Sequence, residues 1–211
     1  MTKIYCDIAD LELFKKYNTK KIVKGFTTNP SLMRKAGAKD YKLYSKKILK
    51  ICKDKPVSLE VFADTYPDMT KQALEISTWA KNVYVKIPVT NSKGKFTGKV
   101  IKTLNKNQIK LNITAVYSSN QTKKILNNIN KKSKVIISIF AGRMADAGKD
   151  PLPEIKKSIA ISKNYKNVFY SFGHHHLGWT LGAISGKIIS KLIAGDDTNL
   201  DLEPYSSARF Y

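Results

Sequence analysis

The stretch PDMTKQALEISTWAKNVYVKIPV, residues 67–89, decides the fold because it joins a helix to a strand with no linker between them. Its first part, residues 67–81, mixes charged and apolar residues as a surface helix does. Its second part, residues 82–89, is an apolar, β-branched run typical of a buried strand. The same order of helix and strand recurs on both sides, which predicts parallel βα units.

Seven apolar runs predict strands between residue 1 and about residue 170. They are KIYCDI (3–8), KIVKGFTT (21–28), VSLEVFA (57–63), NVYVKIPV (82–89), IKLNITAVY (109–117), KVIISIFA (134–141) and NVFYSF (167–172). The first turn, CDIADL, lacks the glycines of a doubly wound nucleotide-binding sheet. The sequence therefore predicts an α/β fold of the (β/α)8 TIM-barrel type. About seven βα units are present, and the eighth strand is missing or replaced.

Polar and reactive side chains lie at the carboxyl ends of the predicted strands, where a barrel of this type places its active site. They are Asp7, Asn29, Glu60, Lys86, Asn112 with Thr114, and Ser138 with Arg143. Each is a weak signal alone, and their common position on successive strands is what indicates a site.

Lys86 is the most informative of these residues, because strand interiors in parallel sheets are mostly apolar. Burial disfavours the charged form of an amine and frees it for attack on a carbonyl group. The alternative is a lysine that points into solvent from a strand end, which is plausible in a chain with 38 lysines and arginines.

Three other candidates also have structural alternatives. Asp7 can serve as an acid or base, or it can cap the helix that begins near Asp10. Asn29 precedes a proline and can be a turn residue. Arg143 can hold a phosphate, or it can form a surface ion pair.

The motifs CDIAD, GFTTNPSL, VSLEV, VKIPVT, LNITAVYS and ISIFAGRMADAG resemble the transaldolase family in order and spacing. The resemblance covers residues 1 to about 168. It implies transfer of a dihydroxyacetone unit from a ketose phosphate to an aldose phosphate, a reaction of the pentose phosphate pathway. It also implies that no metal and no organic cofactor is needed, because a lysine iminium is the electron sink.

The resemblance implies a role for each matching position. Lys86 is similar to the Schiff-base lysine, and Asp7 to the acid/base group of carbon–carbon cleavage. Glu60 and Thr114 are similar to the pair that holds a water for proton relay. The implied substrate-binding residues are Thr28, Asn29, Asn112, Ser138, Phe140 and Arg143, with Ser138 and Arg143 on the phosphate side.

Two positions bear on the choice between transfer and simple cleavage. Related fructose-6-phosphate aldolases tend to carry glutamine at the position of Glu60 and tyrosine at the position of Phe140. The residues of this chain favour transfer. The alternatives are aldolase-like cleavage by the same chemistry and a catalytically impaired, truncated or fused remnant.

The segment 169–211 departs from the family pattern, which suggests two domains, 1–168 and 169–211. The family's second basic phosphate-binding residue is missing after Ser171. A helix predicted over about 178–193, with glycines every four residues, resembles the C-terminus of FAD-dependent D-amino-acid dehydrogenases and glycine-oxidase-like enzymes. The dinucleotide fingerprint is absent, so no flavin is expected to bind. Adjacent histidines, as at 174–176, cannot converge on one metal ion.

The net charge of +22 suggests anionic partners, and sugar phosphates fit that charge. Nucleic acid is not expected, because only three of the 38 basic residues are arginine and the lysines form no stripe in the sequence. No apolar run reaches membrane-spanning length and no signal peptide is evident, so a cytoplasmic protein without a membrane partner is expected. A homo-oligomer is compatible with the sequence. Cys6 and Cys52 are expected to be buried free thiols.

Overall fold

The structure, a computed structural model, describes residues 3–172 together with Gly195 and Asp197. Within these residues, seven strands form one parallel sheet whose spatial order follows the chain order. Each apolar run predicted as a strand contains one of them. The strands are Ile4–Asp7 (β1), Val23–Thr27 (β2), Val57–Glu60 (β3), Val83–Pro88 (β4), Leu111–Val116 (β5), Val135–Ile139 (β6) and Val168–Ser171 (β7).

Helices fill every connection between consecutive strands, as expected of βα units. They are Leu11–Asn18 (α1), Pro30–Lys35 (α2), Tyr41–Ile51 (α3), Tyr66–Ser77 (α4), Gly98–Lys106 (α5), Ser119–Leu126 (α6), Ala141–Asp146 (α7) and Leu152–Ile161 (α8). The α5 helix begins at Gly98 and not at residue 94 as predicted. The Asn91 side chain accepts hydrogen bonds from the backbone N–H groups of Lys93 and Lys95 and holds this segment as a turn.

The sheet curls back on itself. Lys3, directly before β1, lies over the ring of Phe169 in β7, with its Nζ 5.9 Å from the ring centre. In a flat sheet, six spacings of about 4.8 Å place the two outermost strands about 29 Å apart. The contact therefore requires strong curvature. It confirms the predicted incomplete (β/α)8 barrel, with seven strands in the part of the chain that the structure describes.

The two faces of the curled sheet differ in polarity, because residues alternate between faces along each strand. The outer face, which packs against the helices, is apolar and fully buried; it includes Leu59, Val85, Ile87, Leu111, Ile113 and Ile137. The inner face is largely polar. Residues paired in register on neighbouring strands point to the same face of the sheet. On the inner face the pairs are Asp7 with Thr27, Glu60 with Lys86, and Lys86 with Asn112.

Both cysteines are buried and free, as the sequence predicts. Burial raises the pKa of Cys6 to about 11 and that of Cys52 to about 12. Both thiols are therefore uncharged and unreactive near neutral pH, and they serve as small apolar residues of the core.

The chain divides into two compact units, residues 1–173 and 174–211. The predicted helix at 178–193, the histidines at 174–176 and the resemblance to flavin enzymes all lie outside the described residues. The proposed domain boundary near residue 168 stays a prediction. In the described part of the chain, none of the helices has the length and apolar character needed to cross a membrane.

Truncating the outer, apolar face of the sheet should destabilise the protein strongly. Ile113 in β5 is fully buried, so Ile113→Ala should lower the free energy of unfolding by about 2–5 kcal/mol. Ile22→Ala is the matched control, because Ile22 is 63% exposed, and it should cost well under about 1 kcal/mol. Urea unfolding followed by circular dichroism measures both values. Equal effects for the two variants would contradict the assigned burial of β5.

Candidate active site

Lys86 lies on the inner face of β4 and is only 8% exposed. Its Nζ atom is 3.2 Å from Oε2 of Glu60 and donates a hydrogen bond to the backbone oxygen of Thr28 at 3.3 Å. The alternative of a lysine that points into solvent is therefore wrong. The amine is held between two strands by one carboxylate and one carbonyl group.

Glu60 ends β3 directly beside Lys86. Burial raises the pKa of its carboxyl group; the Lys86 ammonium opposes this shift, and the negative charge of Asp7 adds to it. The end of β3 is fixed from outside by Tyr41, whose hydroxyl donates to the backbone oxygen of Glu60 at 2.8 Å. The Tyr41 ring packs edge-on against Phe62 with 5.3 Å between ring centres.

Asp7 ends β1, and its Oδ1 accepts a hydrogen bond of 2.7 Å from the Thr27 hydroxyl. The alternative that Asp7 caps the first helix is wrong, because Asp10 is the cap of α1 and accepts from the N–H of Leu13 at 2.9 Å. Asp7 shares the inner face with Thr27, and its negative charge adds to the raised pKa of Glu60.

Two threonines of the predicted site are buried, and neither side-chain oxygen has a hydrogen-bond partner within the described residues. Thr28 is fully buried after β2, and Thr114 is 2% exposed on β5 beside Pro88. Ala115, the next residue, has a φ of 58°, which is uncommon for alanine and accompanies a break in the β5–β6 register. Hydroxyl groups buried without a protein partner are suited to contacts with water or substrate.

Asn112 and Ser138 are in direct contact. The Ser138 hydroxyl donates to Oδ1 of Asn112 at 2.8 Å, and Nδ2 of Asn112 donates to the Ser58 hydroxyl at 3.0 Å. A serine hydroxyl carries one hydrogen. Ser138 can therefore donate to a phosphate, as predicted for it, only after giving up its bond to Asn112.

The remaining predicted residues lie after the strands, at the start of or within helices α2 and α7. Asn29 is the cap of α2, with its Oδ1 accepting from the N–H of Leu32 at 2.9 Å. It therefore has a structural role, although as a helix cap and not as a simple turn residue, and its amide N–H groups and second oxygen lone pair remain for a substrate. Phe140 precedes α7 and contacts the Tyr117 ring edge-on at 5.7 Å. Arg143 is exposed on α7 and forms no ion pair with any described residue.

Sequence analysis missed three residues that contact this group: Thr27, Ser58 and Tyr41. The two-residue period of a strand is a signal for the first two. Thr27 is in register with Asp7, and Ser58 lies two positions before Glu60 on the same face. Tyr41 approaches from α3, and no pattern in the sequence indicates its contact with Glu60.

The group combines a buried amine, two carboxylates and several hydroxyl and amide groups. An amine beside a proton acceptor is the arrangement needed for covalent attack on a carbonyl group. Among the described residues, no three His, Cys, Asp or Glu side chains are grouped closely enough to hold a metal ion.

Comparisons with known proteins identify the family of this chain. The model of the family described as transaldolase/fructose-6-phosphate aldolase matches residues 4–192, which extends past the end of the motifs near residue 168. A "Probable transaldolase" from Dehalococcoides mccartyi is 37% identical over 163 residues, covering 77% of this chain and 72% of the relative.

A second relative and one solved structure complete the comparison. A "Probable transaldolase" from Methanococcus maripaludis is 39% identical over 165 residues, covering 77% of this chain and 71% of the relative. The dihydrodipicolinate synthase structure from Rhodopseudomonas palustris is 9% identical over 92% of this chain and 76% of that one; its TM-score of 0.42 is too low to support an argument. On the family match and these relatives, the chain belongs to the transaldolase/fructose-6-phosphate aldolase family.

Proposed function

We propose that the protein transfers a dihydroxyacetone unit from a ketose phosphate to an aldose phosphate through an imine on Lys86. Its family and its relatives support a transaldolase or aldolase-type function. One observation carries the finer proposal: the amine of Lys86 is buried on the inner face and lies 3.2 Å from the carboxylate of Glu60.

The pairing with Glu60 supports the first step of this reaction. An amine must lose its proton before it can attack a ketone. Because burial raises the pKa of Glu60, its carboxylate accepts a proton more readily than an exposed glutamate does. The Lys86 nitrogen then adds to the ketone carbon. The former carbonyl oxygen takes one proton from the nitrogen and one back from Glu60 and leaves as water, which gives an iminium ion.

Asp7 is the proposed base for cleavage. Its carboxylate takes the proton of the hydroxyl group on the carbon beyond the bond that breaks. The electron pair of that bond moves into the iminium to form an enamine, and an aldose phosphate departs. The bond from Thr27 holds Oδ1 of Asp7 on the inner face, which suits a base that must meet one hydroxyl group. In the second half-reaction the enamine carbon adds to an acceptor aldehyde, and water then releases the product.

Other side chains support the proposed roles in binding. Thr114 lies two positions beyond Asn112 on β5, and its buried oxygen is free of protein contacts among the described residues, which suits the proposed water held with Glu60. Thr28, Asn29 and Asn112 are the proposed contacts of substrate hydroxyl groups.

Arg143 is the main residue proposed to bind the substrate phosphate. It is exposed, and its guanidinium group can form two hydrogen bonds to one phosphate group. Ser138 is the second proposed residue there. The net charge of +22 favours the approach of such anionic sugars. No cofactor is proposed, and none of these roles depends on the segment 169–211, whose relation to flavin enzymes stays a separate hypothesis.

Phe140 supports transfer over cleavage. A tyrosine at this position can protonate the enamine and release free dihydroxyacetone, and phenylalanine has no proton to give. The enamine then persists until an acceptor aldehyde arrives. Aldolase-type cleavage by the same amine is the second candidate, and a catalytically impaired remnant is the third.

Borohydride trapping tests the proposed imine. Incubation with fructose 6-phosphate and borohydride should leave a reduced adduct on Lys86, located by peptide mass spectrometry. Lys86→Met should abolish the adduct, because methionine keeps the length and apolar stem but has no amine. Lys24→Met is the matched control: Lys24 is an exposed lysine on a strand, and its loss should leave trapping unchanged. Absence of any adduct in the wild-type protein would favour the remnant.

The rate of imine formation should fall on the acid side as Glu60 becomes protonated and can no longer accept a proton. Since burial raises the pKa of Glu60, this fall should occur above pH 4.5, the ordinary value of the group. Glu60→Gln should be slower and should lack this pH-dependent fall. Glu75→Gln, at a half-exposed glutamate paired with Lys42, is the control and should keep the wild-type profile. An acid limb unchanged in Glu60→Gln would exclude Glu60 as the acceptor.

Phe140→Tyr should convert transfer partly into cleavage. The added phenol supplies a proton donor for the enamine, so the release of free dihydroxyacetone in the absence of an acceptor aldehyde should rise at least about tenfold. Phe140→Leu alters the packing against Tyr117 without adding a donor, and its rate of release should stay low. Fast release by the wild-type protein would instead support the aldolase alternative.

A further inference from the structure

A chain of three polar side chains crosses the inner face of the sheet beside Lys86. Ser58 on β3 accepts from Asn112 on β5 at 3.0 Å, and Asn112 accepts from Ser138 on β6 at 2.8 Å. Ser58 and Asn112 are each 1% exposed. Ser58 contributes to neither the proposed proton transfers nor the proposed substrate contacts, so its place in this chain needs its own explanation.

These three hydrogen-bonded side chains lie on strands next to Lys86 or one strand further along the sheet. Asn112 is in register with Lys86 on the neighbouring strand. Ser58 lies on the strand that flanks β4 on the other side, two residues before Glu60. The bond between Ser58 and Asn112 therefore joins the two neighbours of β4 and crosses its inner face between the positions of Tyr84 and Lys86.

Hydrogen-bond capacity shows what this arrangement does to Asn112. A carboxamide has two N–H donors and an oxygen with two lone pairs. Ser58 takes one donor and Ser138 fills one lone pair, so the amide plane is held from two sides. One N–H group and one lone pair remain. Together they match a hydroxyl group, which both donates and accepts.

We propose that Ser58 is a positioning residue that fixes the Asn112 carboxamide for recognition of the hydroxyl group next to the imine carbon. The inference rests on the proposed function, because it needs a ketone bound to Lys86. Without the Ser58 hydroxyl, one N–H of Asn112 is buried without a partner and the amide is held by Ser138 alone. The amide then loses the orientation that suits a substrate hydroxyl group.

The test compares two ketones that differ only in hydroxyl groups, dihydroxyacetone and acetone, by borohydride trapping and mass spectrometry. Ser58→Ala should lower the second-order rate of trapping of dihydroxyacetone about tenfold, the effect expected of one disrupted buried hydrogen bond. Trapping of acetone should change less than about twofold. This difference between ketones separates a positioning role from general damage to the fold, which slows both.

Ser158→Ala is the matched control. Ser158 is fully buried in α8, and its hydroxyl lies 3.0 Å from that of Thr122, so the variant also loses a buried contact between side chains. It should trap both ketones at wild-type rates. If Ser58→Ala does not fold, Ser58→Cys keeps the size of the side chain with a weaker acceptor and should show the same selectivity in smaller measure.

A double-mutant cycle identifies the path of the effect. If Ser58 acts through Asn112, then Ser58→Ala should cause no further loss with dihydroxyacetone in an Asn112→Ala background. A full, additive loss there would overturn the proposal, and so would equal losses for the two ketones. If the wild-type protein forms no adduct with either ketone, the proposed function itself fails and the positioning role fails with it. A wild-type adduct with unaltered selectivity in Ser58→Ala refutes the positioning role alone.

Discussion

The structure of the site depends on one buried ion pair, Lys86 with Glu60. Two charges removed from water lose several kcal/mol of hydration each, and their mutual attraction often fails to repay that loss. Here the pair is 3.2 Å apart, and the Thr28 carbonyl gives the ammonium a second partner. An apolar pair in this position is expected to stabilise the fold at least as well. Stability alone therefore does not explain two charges on the inner face.

The alternation of the strands makes this arrangement possible. One face of the sheet supplies a dry apolar layer against the helices, with Val85 and Ile87 on either side of Lys86 in the sequence. Residues on either side of Lys86 in the same strand point to the outer face. The burial of Val85 and Ile87 there therefore holds the backbone that positions Lys86. Parallel pairing in register then places Glu60 of β3 and Asn112 of β5 on either side of Lys86 on the inner face.

The sequence predicts the fold, which the structure confirms, and it predicts that several polar side chains share the inner face; their roles stay a prediction. Buried parallel strands read as continuous apolar runs, and their carboxyl ends meet at one edge, so Lys86, Glu60 and Asp7 were predicted together. The roles of individual polar residues were harder to predict, because a short polar side chain can satisfy a local backbone group or a distant one. Asn29 was predicted for substrate and caps α2. Asp10 is the cap of α1, so Asp7 is not needed for that role. Strand periodicity places Ser58 on the face of Glu60 but does not identify its partner Asn112, and no periodicity indicates the contact of Tyr41 with Glu60.

The buried hydroxyl groups near Lys86 and Asn112 differ in whether they have hydrogen-bond partners. Ser58 and Ser138 have protein partners, whereas the oxygens of Thr28 and Thr114 have none among the described residues. An unpartnered buried hydroxyl costs about 1–3 kcal/mol, a cost that a hydrogen bond to water or a ligand can offset. Asn112 is thus held between two hydroxyl groups that have protein partners. Under the proposed function, the unpartnered oxygens of Thr28 and Thr114 are the ones open to water or substrate hydroxyl groups.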